Sequence, residues 1–404
     1  MSSSYITRAG DSFAAIARAK YGSDEHADLI RLANPGTAEP IAAGAVLTVP
    51  AVPGAPVDRV AQAPSAGANE VAVLISGARF RFWSEITMVR GIDRMDTLEF
   101  SAPFLRGVFK PFSYRPVTVT VGGETLFTGT LVNITPAVNN TEKTLSISGY
   151  SMPGVLADCT PPASAFPLEF NGQTLRAIAR QLVRPFGLSV EFSADPGPAF
   201  EREAIDPGED VLGFLSDLAR QRGLVVSSTP AGALLFQRSA PTGSPVAVLQ
   251  QGESPVLGVR PAFSPQAYHS HVTGLESAYV GTDGSQYTVK NPHLRGVLRP
   301  LTFKAPDVQG GSIRQAVLAK AGRMFANAAA YSLTVDTWRD PGGALWAPNT
   351  TIKLTAPDAM VYEPYEFVIR SVEFSRSSAG ESATLELVLP GAFSGEIPET
   401  LPWD

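Results

Sequence analysis

The chain has 404 residues, of which 44% are hydrophobic and 17% are charged, and it contains 36 glycines and 34 prolines. This composition predicts a mainly β protein of two to four domains, because it suits short strands joined by turns better than a helical bundle. A formal net charge of −6 argues against a general binder of the phosphate backbone, and a single cysteine, Cys159, excludes an intrachain disulfide.

The sequence also sets expectations about the compartment. It has no basic segment followed by an apolar run near its start, and no uninterrupted run of about 18 apolar residues. A lone cysteine suits folding in a reducing cytoplasm. We therefore expect no secretory route and no membrane segment.

The first fifty residues predict a small domain in the order strand, helix, helix, strand. Residues 5–7 are β-prone, and Asp11 or Ser12 is placed to cap a helix that runs through Lys20. A second helix over residues 24–33 ends where Asn34 and Pro35 stop it, and residues 46–49 form the closing strand.

This segment resembles the LysM module in its Tyr strand, its Gly-Asp-Ser-Phe turn, its Ile-Ala pair, its Asn-Pro helix end and its Val-Pro ending. The resemblance implies a domain over residues 1–50 that binds peptidoglycan or chitin, or a partner protein, through two loops. The loop residues are Gly10, Asp11, Ser12, Asn34, Pro35 and Ile41. Because these loops contain no aromatic residue that would stack on a sugar, a structural docking role remains the alternative.

Ser12 also invites a hydrolase interpretation, since Gly-Asp-Ser can carry a nucleophile. A serine nucleophile needs a histidine as base and an acid that orients it. That hydrolase family would supply Asp-x-x-His near the C-terminus, whereas the last histidine here is His293. We therefore expect Gly10 to Ser12 to form a turn and cap.

Residues 51–69 are rich in Ala, Pro, Gly and Ser without an apolar period, which predicts a flexible linker. Alternating apolar residues then predict a first tube-like β-barrel over residues 70–152, with Gly122 and Gly123 as a two-residue hairpin turn. Residues 153–240 differ, because amphipathic helices at 174–186 and after Gly208 are each followed by a short strand. They predict an inserted α+β domain.

The strand pattern of the first barrel recurs near the C-terminus. The strand at Val117 matches the one at Thr351, the strand through Val132 matches the one through Val368, and Leu145 is paired with Leu385. This repetition predicts a second, related barrel over residues 241–278 with 331–396, followed by a tail at 397–404. The interruption at 279–330 is a second insertion, with an amphipathic helix capped by Ser312.

The arrangement resembles the baseplate hub proteins of contractile-tailed, Mu-like phages, over about residues 71–393. Its most specific motif lies in residues 338–354 and consists of Trp338, Arg339, Asp340, Pro341, Gly342 and Trp346. The resemblance implies a virion structural protein, assembled in the host cytoplasm. It implies a homotrimer whose paired barrels form a ring of six, adapting the three-fold central spike to the six-fold tail tube and enclosing the DNA channel.

Two groups of side chains are candidates for a chemical site. His269 and His271 would share one face of a strand, but no third metal ligand is evident. The acidic group of Glu201, Glu203, Asp206, Glu209 and Asp210 precedes a helix, where it is better interpreted as solvated charge that stabilises the helix start. We expect a protein that is not an enzyme, with no catalytic residue, cofactor or metal.

The partners expected from this interpretation are the spike, the tail tube, the other baseplate (wedge) proteins, and DNA only by passage through the lumen; the LysM module adds peptidoglycan as a candidate. Two alternatives remain open. One is a LysM-mediated peptidoglycan-binding protein, which the lack of a secretion signal disfavours. The other is the equivalent hub of a tailocin or contractile injection system.

Overall fold

The computed structural model describes residues 3–8, 10–21, 24–50, 69–138, 143–239, 243–275, 286–304, 313–392, 395 and 397–404. The predicted linker therefore lies outside the described residues apart from Asn69, and so does Ser312. The fold is mainly β, as predicted. Within the described part of the chain, no helix is both long and apolar enough to cross a membrane.

The N-terminal module has the predicted order strand, helix, helix, strand. Its elements are β1 (Ser3–Ile6), α1 (Phe13–Tyr21), α2 (Ala27–Ala33) and β2 (Val46–Val49). The two strands pair antiparallel, and the helices pack Phe13 and Ile30 against the buried side of β2. The module thus has a small core of its own.

Residues 70–151 form a first β unit, whose apolar residues alternate with polar ones and point to one side of the sheet. Gly122 and Gly123 have φ values of +58° and +85°, so the predicted tight turn is confirmed. The strands are β3 (Val71–Ile75), β4 (Ala78–Phe80), β5 (Glu85–Gly91), β6 (Thr97–Pro103), β7 (Pro116–Val121), β8 (Glu124–Val138) and β9 (Lys143–Ser151).

The predicted α+β insertion follows and has its own buried cluster, separate from the core of the β units. Helix starts are capped as the sequence suggests, since Thr174 accepts from Ala177 N and Asp210 accepts from Gly213 N. Its elements are α3 (Val155–Asp158), β10 (Glu169–Gln173), α4 (Leu175–Val183), β11 (Val190–Phe192), β12 (Phe200–Ala204), α5 (Val211–Gln221), β13 (Val225–Ser228) and β14 (Leu234–Gln237).

The rest of the chain contains a second β unit and a second insertion. Its elements are β15 (Ala247–Gln250), β16 (Val256–Phe263), β17 (His271–Leu275), β18 (Gln286–Lys290), β19 (Pro300–Lys304), α6 (Ile313–Ala328), β20 (Ala329–Val335), β21 (Thr351–Ala356), β22 (Val361–Ser377) and β23 (Gly380–Val388). Strands β17, β18 and β19 form a separate sheet that packs on α6.

This topology corrects one sequence-based boundary. We assigned residues 241–278 to the second barrel, because residues 254–274 resemble residues 84–103 as two strands joined by a polar turn. In the structure β16 instead pairs with β20, and β17 pairs with β18 and β19. In sequence, β16 and β17 look like two strands joined by a polar turn. The strand that pairs with β16 is instead β20, which follows the insertion.

The two β units repeat the same five-strand order. Along the sheet the order is β7-β8-β9-β6-β5 in one unit and β21-β22-β23-β20-β16 in the other, and all these pairs are antiparallel. Each unit also has a bulge at the same point of its long strand, at Val132 and at Arg370. This bulge makes Ala383, not Leu385, the equivalent of Leu145. A flanking sixth strand differs, because β3 runs antiparallel to β7 and β15 runs parallel to β21.

The prediction of two closed barrels is corrected by the strand pairing. Among the described residues both units belong to one 13-stranded sheet, which is continuous because β22 pairs with β5. The sheet has free ends at β4, β15 and β16. The alternation of apolar residues in the sequence predicted which face of each strand is apolar. It could not predict that β22, the long strand of the second unit, pairs with β5 of the first unit.

Candidate functional site

The hub motif forms the loop between β20 and β21, and its two tryptophans are buried. Trp338 Nε1 donates to Ser382 O at 2.9 Å and to Ser375 O at 3.2 Å, and Trp346 Nε1 donates to Thr337 O at 3.0 Å. Both rings are at most 1% exposed. The tryptophans therefore hold this loop onto β22 and β23 and do not offer a surface to a ligand.

The tip of the loop is a tight turn built by Asp340, Pro341 and Gly342. The Asp340 carboxylate accepts from Ala344 N at 2.9 Å, while Gly343 N donates to Asp340 O at 2.9 Å. Gly343 has φ +85°, a value that favours glycine. These motif residues shape the turn and leave Arg339 as the member that reaches other segments.

Arg339 connects three separate parts of the chain. Its Nε donates to Asn69 Oδ1 at 2.9 Å, and its Nη1 donates to Gly343 O at 2.8 Å and to Glu124 Oε1 at 2.9 Å. Asn69 in turn donates to Glu381 and accepts from Arg376 through its carbonyl. Arg339 and Asn69 together tie the start of the first unit to the second unit.

A second connection lies at the bulge of β22. Arg370 donates to Asp93 Oδ2 at 2.9 Å and to Glu386 Oε1 at 3.2 Å, and Ile92 N donates to Arg370 O. Ser371 donates to the other oxygen of Glu386 at 2.8 Å. The loop between β5 and β6 is thereby held against the second unit.

The same loop also contacts the inserted domain through Asp96, which is 1% exposed. Asp96 N donates to Ser228 Oγ, and its carboxylate accepts from Arg90 Nε at 3.2 Å and from Gly91 N at 3.3 Å. Burial raises the pKa of Asp96 to about 6, although the Arg90 guanidinium acts in the opposite direction. This loop is therefore the meeting point of both β units and the insertion.

One face of the continuous sheet is polar over eight strands, from β16 through β22 and β5 to β8. Most apolar side chains of these strands point to the other face, as the alternation of burial shows. Val368 and Val388 are exceptions, because they lie on the polar face and pack with Ala326 of α6. The carboxylates on this polar face include Glu85, Glu99, Glu373 and Glu386, and the guanidinium of Arg260 lies there at a regular strand position. Its hydroxyl residues include Thr87, Thr97, Ser101, Thr135, Ser146, Ser148, Ser332, Thr334, Ser375 and Thr384.

The predicted LysM loop residues are engaged within the module. Asp11 accepts from the Tyr5 hydroxyl at 2.9 Å and from Arg8 N at 2.7 Å, and Ser12 Oγ accepts from Ala15 N at 3.2 Å. The Asn34 amide bonds Ile30 O, Thr48 O and Thr48 N, and Ile41 is buried. Gly10 and Pro35 are exposed turn residues. The geometry gives these positions structural roles.

The module rests on the first β unit. Leu29 and Leu32 of α2 are each 2% exposed and belong to the core cluster of the β units. Arg115 donates to Leu32 O at 2.8 Å and to Val108 O at 2.9 Å, and its own side chain is buried. A groove beside this contact is lined by Leu32, Pro35, Lys110 and Ser113, among others.

The histidine pair and the acidic group before α5 form no catalytic arrangement. Asp210 caps α5 with a 2.6 Å bond from Gly213 N, as expected for an acid at a helix start. His271 begins β17, whereas His269 lies before it and donates through its backbone to Met324. Among the described residues, no group of three His, Cys, Asp or Glu side chains is positioned to hold a metal.

Sequence reasoning missed Asn69, Asp96 and Arg115. Asn69 was assigned to the linker because it ends a segment of low complexity. Asp96 and Arg115 are charged residues in loops, which are ordinarily solvated. Only their neighbours in space give them a role, so no local signal in the sequence identified them.

Known proteins bear on this architecture. Residues 153–238 match the family described as "Baseplate hub protein gp44-like, second domain". Baseplate hub protein gp44 of Escherichia phage Mu is 23% identical over 314 residues, which cover 71% of this chain and 79% of that protein.

Two solved structures share the fold. The 43 kDa tail protein of prophage MuSo2 from Shewanella oneidensis has a TM-score of 0.70 at 28% identity, over 80% of this chain and 99% of that one. A tail protein from Neisseria meningitidis MC58 has a TM-score of 0.68 at 21% identity, over 82% and 99% of the two chains. Together, the sequence similarities support a structural baseplate hub of the Mu-like phage type and a place in the virion tail.

Proposed function

We propose that three copies of this chain form a baseplate hub that adapts a three-fold central spike to a six-fold tail tube and lines the DNA channel. The observation that carries the proposal is the repeated five-strand unit, joined within one chain through β22 and β5. Two related units per chain give six units in a trimer. A three-fold assembly of paired units matches partners of both symmetries.

The polar sheet face is the surface suited to the channel. A DNA-binding surface carries Lys and Arg that neutralise phosphates. Here hydroxyls and carboxylates face outward, with Arg260 as the guanidinium at a regular strand position. Such a face presents more carboxylates than cations and repels the phosphate backbone weakly, which favours passage of DNA over binding.

The test is the mass of the purified chain by light scattering, alone and with the spike protein of the same phage, followed by electron microscopy. We expect about 128 kDa for three 42.7 kDa chains and class averages with six similar lobes. A chain that stays monomeric with the spike present, and that sediments with peptidoglycan, would instead support the cell-wall-binding alternative. A tailocin or injection-system hub would give the same mass and is distinguished by the genes around it.

We infer that the LysM-like module acts as a docked brace on the first unit. Its support is the burial of Leu29 and Leu32 against that unit, the Arg115 bond to Leu32 O, and the internal use of the Asp11 and Asn34 side chains. Sedimentation of the intact chain with purified peptidoglycan tests this role, and we expect no binding. Retention by peptidoglycan would revive the glycan-binding alternative. The proposal includes no enzymatic activity.

A further inference from the structure

The joint between the two units of one chain has a defined geometry. Residues 371–376 of β22 pair antiparallel with residues 86–91 of β5, so that Phe374 lies opposite Met88. The apolar side chains at this joint, Val372, Phe374, Ile86 and Met88, are at most 1% exposed. The joint therefore extends both the hydrogen-bonded sheet and its apolar layer from one unit into the next.

The repeat identifies the equivalent of each strand at the joint. The shared bulge equates β22 with β8, so that residues 371–376 correspond to residues 133–138. Pairing through β6 and β20 equates β5 with β16, so that Ile86 corresponds to Val259 and Met88 to Pro261. Residues 133–138 of the first unit are therefore equivalent to the β22 edge at the joint. In the same way, β16 of the second unit is equivalent to the β5 edge at the joint.

Both equivalent edges are free within the described residues of one chain. Residues 133–138 pair with β9 on one side only, and β16 pairs with β20 on one side only. Apolar residues at these edges are exposed, with Val138 at 64%, Leu257 at 62% and Phe263 at 42%. An exposed apolar strand edge is a template for pairing with another chain.

We propose that a second copy of this chain covers these edges, with residues 133–138 of one copy pairing antiparallel with residues 259–264 of the next. The inference rests on the proposed trimeric hub and specifies its contact. Applying the register of β22 and β5 to the equivalent strands places Ile134 opposite Phe263 and Thr135 opposite Ala262 of the neighbouring copy. Three such contacts alternate with three joints inside the chains and close the ring.

The contact between chains differs from the joint within a chain at its centre. In the joint, Ile92 N donates to Arg370 O, and the alternation of an antiparallel ladder directs the peptide groups of Met88 and Phe374 towards each other. The equivalent positions are Pro261 and Pro136, which carry no N–H. The contact between chains therefore lacks two central donors and is weaker than the joint within a chain. Proline at a free edge also discourages random strand pairing.

The test introduces a cysteine pair, Thr135→Cys with Ala262→Cys, in a Cys159→Ser background that has no other cysteine. Both side chains are exposed on the polar face and do not belong to either core. Directly opposite residues whose peptide groups point away from each other have close Cα atoms, which suits a disulfide. The matched control pair is Ser146→Cys with Ala262→Cys, because Ser146 lies on the same face one strand further from the edge.

We expect oxidation to convert the Thr135/Ala262 pair into disulfide-linked trimers on a non-reducing gel, while the control pair and each single variant remain monomeric on the gel. Light scattering on the same samples, alone and with the spike protein, reports the trimer independently. A trimer by mass without this selective cross-link would overturn the strand contact and leave the hub function standing. No trimer with or without the spike would overturn both.

Discussion

Arg339→Met removes the side chain that joins three segments, and we expect it to lower the free energy of unfolding by about 3 kcal/mol. The Arg339 side chain is 14% exposed, and its guanidinium bonds Asn69 Oδ1, Gly343 O and Glu124 Oε1 at 2.8 to 2.9 Å. Hydrogen bonds to a charged group contribute about 1.5 to 3 kcal/mol each when shielded from solvent. Methionine keeps much of the stem and cannot donate to any of the three acceptors.

The three bonds are not equal, and this makes the prediction sharper. Glu124 is 59% exposed, so its pairing with Arg339 is screened and contributes about 0 to 1 kcal/mol. The two carbonyl acceptors, on Asn69 and Gly343, therefore account for most of the effect. Glu124→Gln should cost less than about 1 kcal/mol, which separates the ion pair from the bonds that hold the segments together.

Urea unfolding, followed by tryptophan fluorescence, gives the free energy of unfolding of both variants. Trp338 and Trp346 report on this region because they flank Arg339 and are buried. Arg81→Met, at an exposed arginine, is the control and should be neutral. The reasoning fails if Arg339→Met lies within about 0.5 kcal/mol of the wild type, or if Glu124→Gln costs as much as Arg339→Met.

Two further predictions concern the Asp96 loop and the N-terminal module. Burial raises the pKa of Asp96 from near 4 to about 6, so its contribution to stability is complete below about pH 4 and is lost as the pH rises through about 6. Between pH 4 and 7 the free energy of unfolding of the wild type should fall by as much as about 3 kcal/mol relative to Asp96→Asn, since each tenfold change in proton affinity corresponds to about 1.4 kcal/mol. Urea unfolding at several pH values measures this difference, and parallel pH profiles of the two proteins would exclude it. Deleting residues 2–68 should lower the melting temperature but leave the trimer intact, because the β units keep their own core. Extending the deletion to Asn69 should lower it further, since Asn69 bonds Arg339, Arg376 and Glu381; equal melting temperatures would contradict this role.

Much of the fold was predictable because it is encoded locally. Alternating apolar residues located the β strands, Thr174 and Asp210 marked helix starts, and the paired glycines at 122 and 123 marked a hairpin. The strand repeat was visible because each unit preserves the same order of short strands. Apart from the repeat, each of these signals lies within about a dozen neighbouring residues.

The rest depends on contacts between distant segments. The pairing of β22 with β5 joins residues nearly 300 positions apart, and no periodicity in either strand reveals it. For the same reason the partner of β16 was misassigned, since the true partner lies beyond an insertion. In the candidate site, the tryptophans of the motif were located correctly, but their role as buried anchors of a loop required the carbonyls of Ser375 and Ser382 to be brought together.

The same duplication explains why this chain has two kinds of strand edge. A ring made of six identical units would need six equal contacts, all formed by association. Joining the units in pairs makes half of these contacts intramolecular, where they are built with hydrogen-bonding residues and completed by Arg370 and its two carboxylates. The other half form between the edges that carry Pro136 and Pro261. These prolines discourage the free edges of a single chain from pairing with strands at random. A strong contact inside the chain and a weaker one between chains would make closure of the ring depend on protein concentration and favour it where partners hold three copies together.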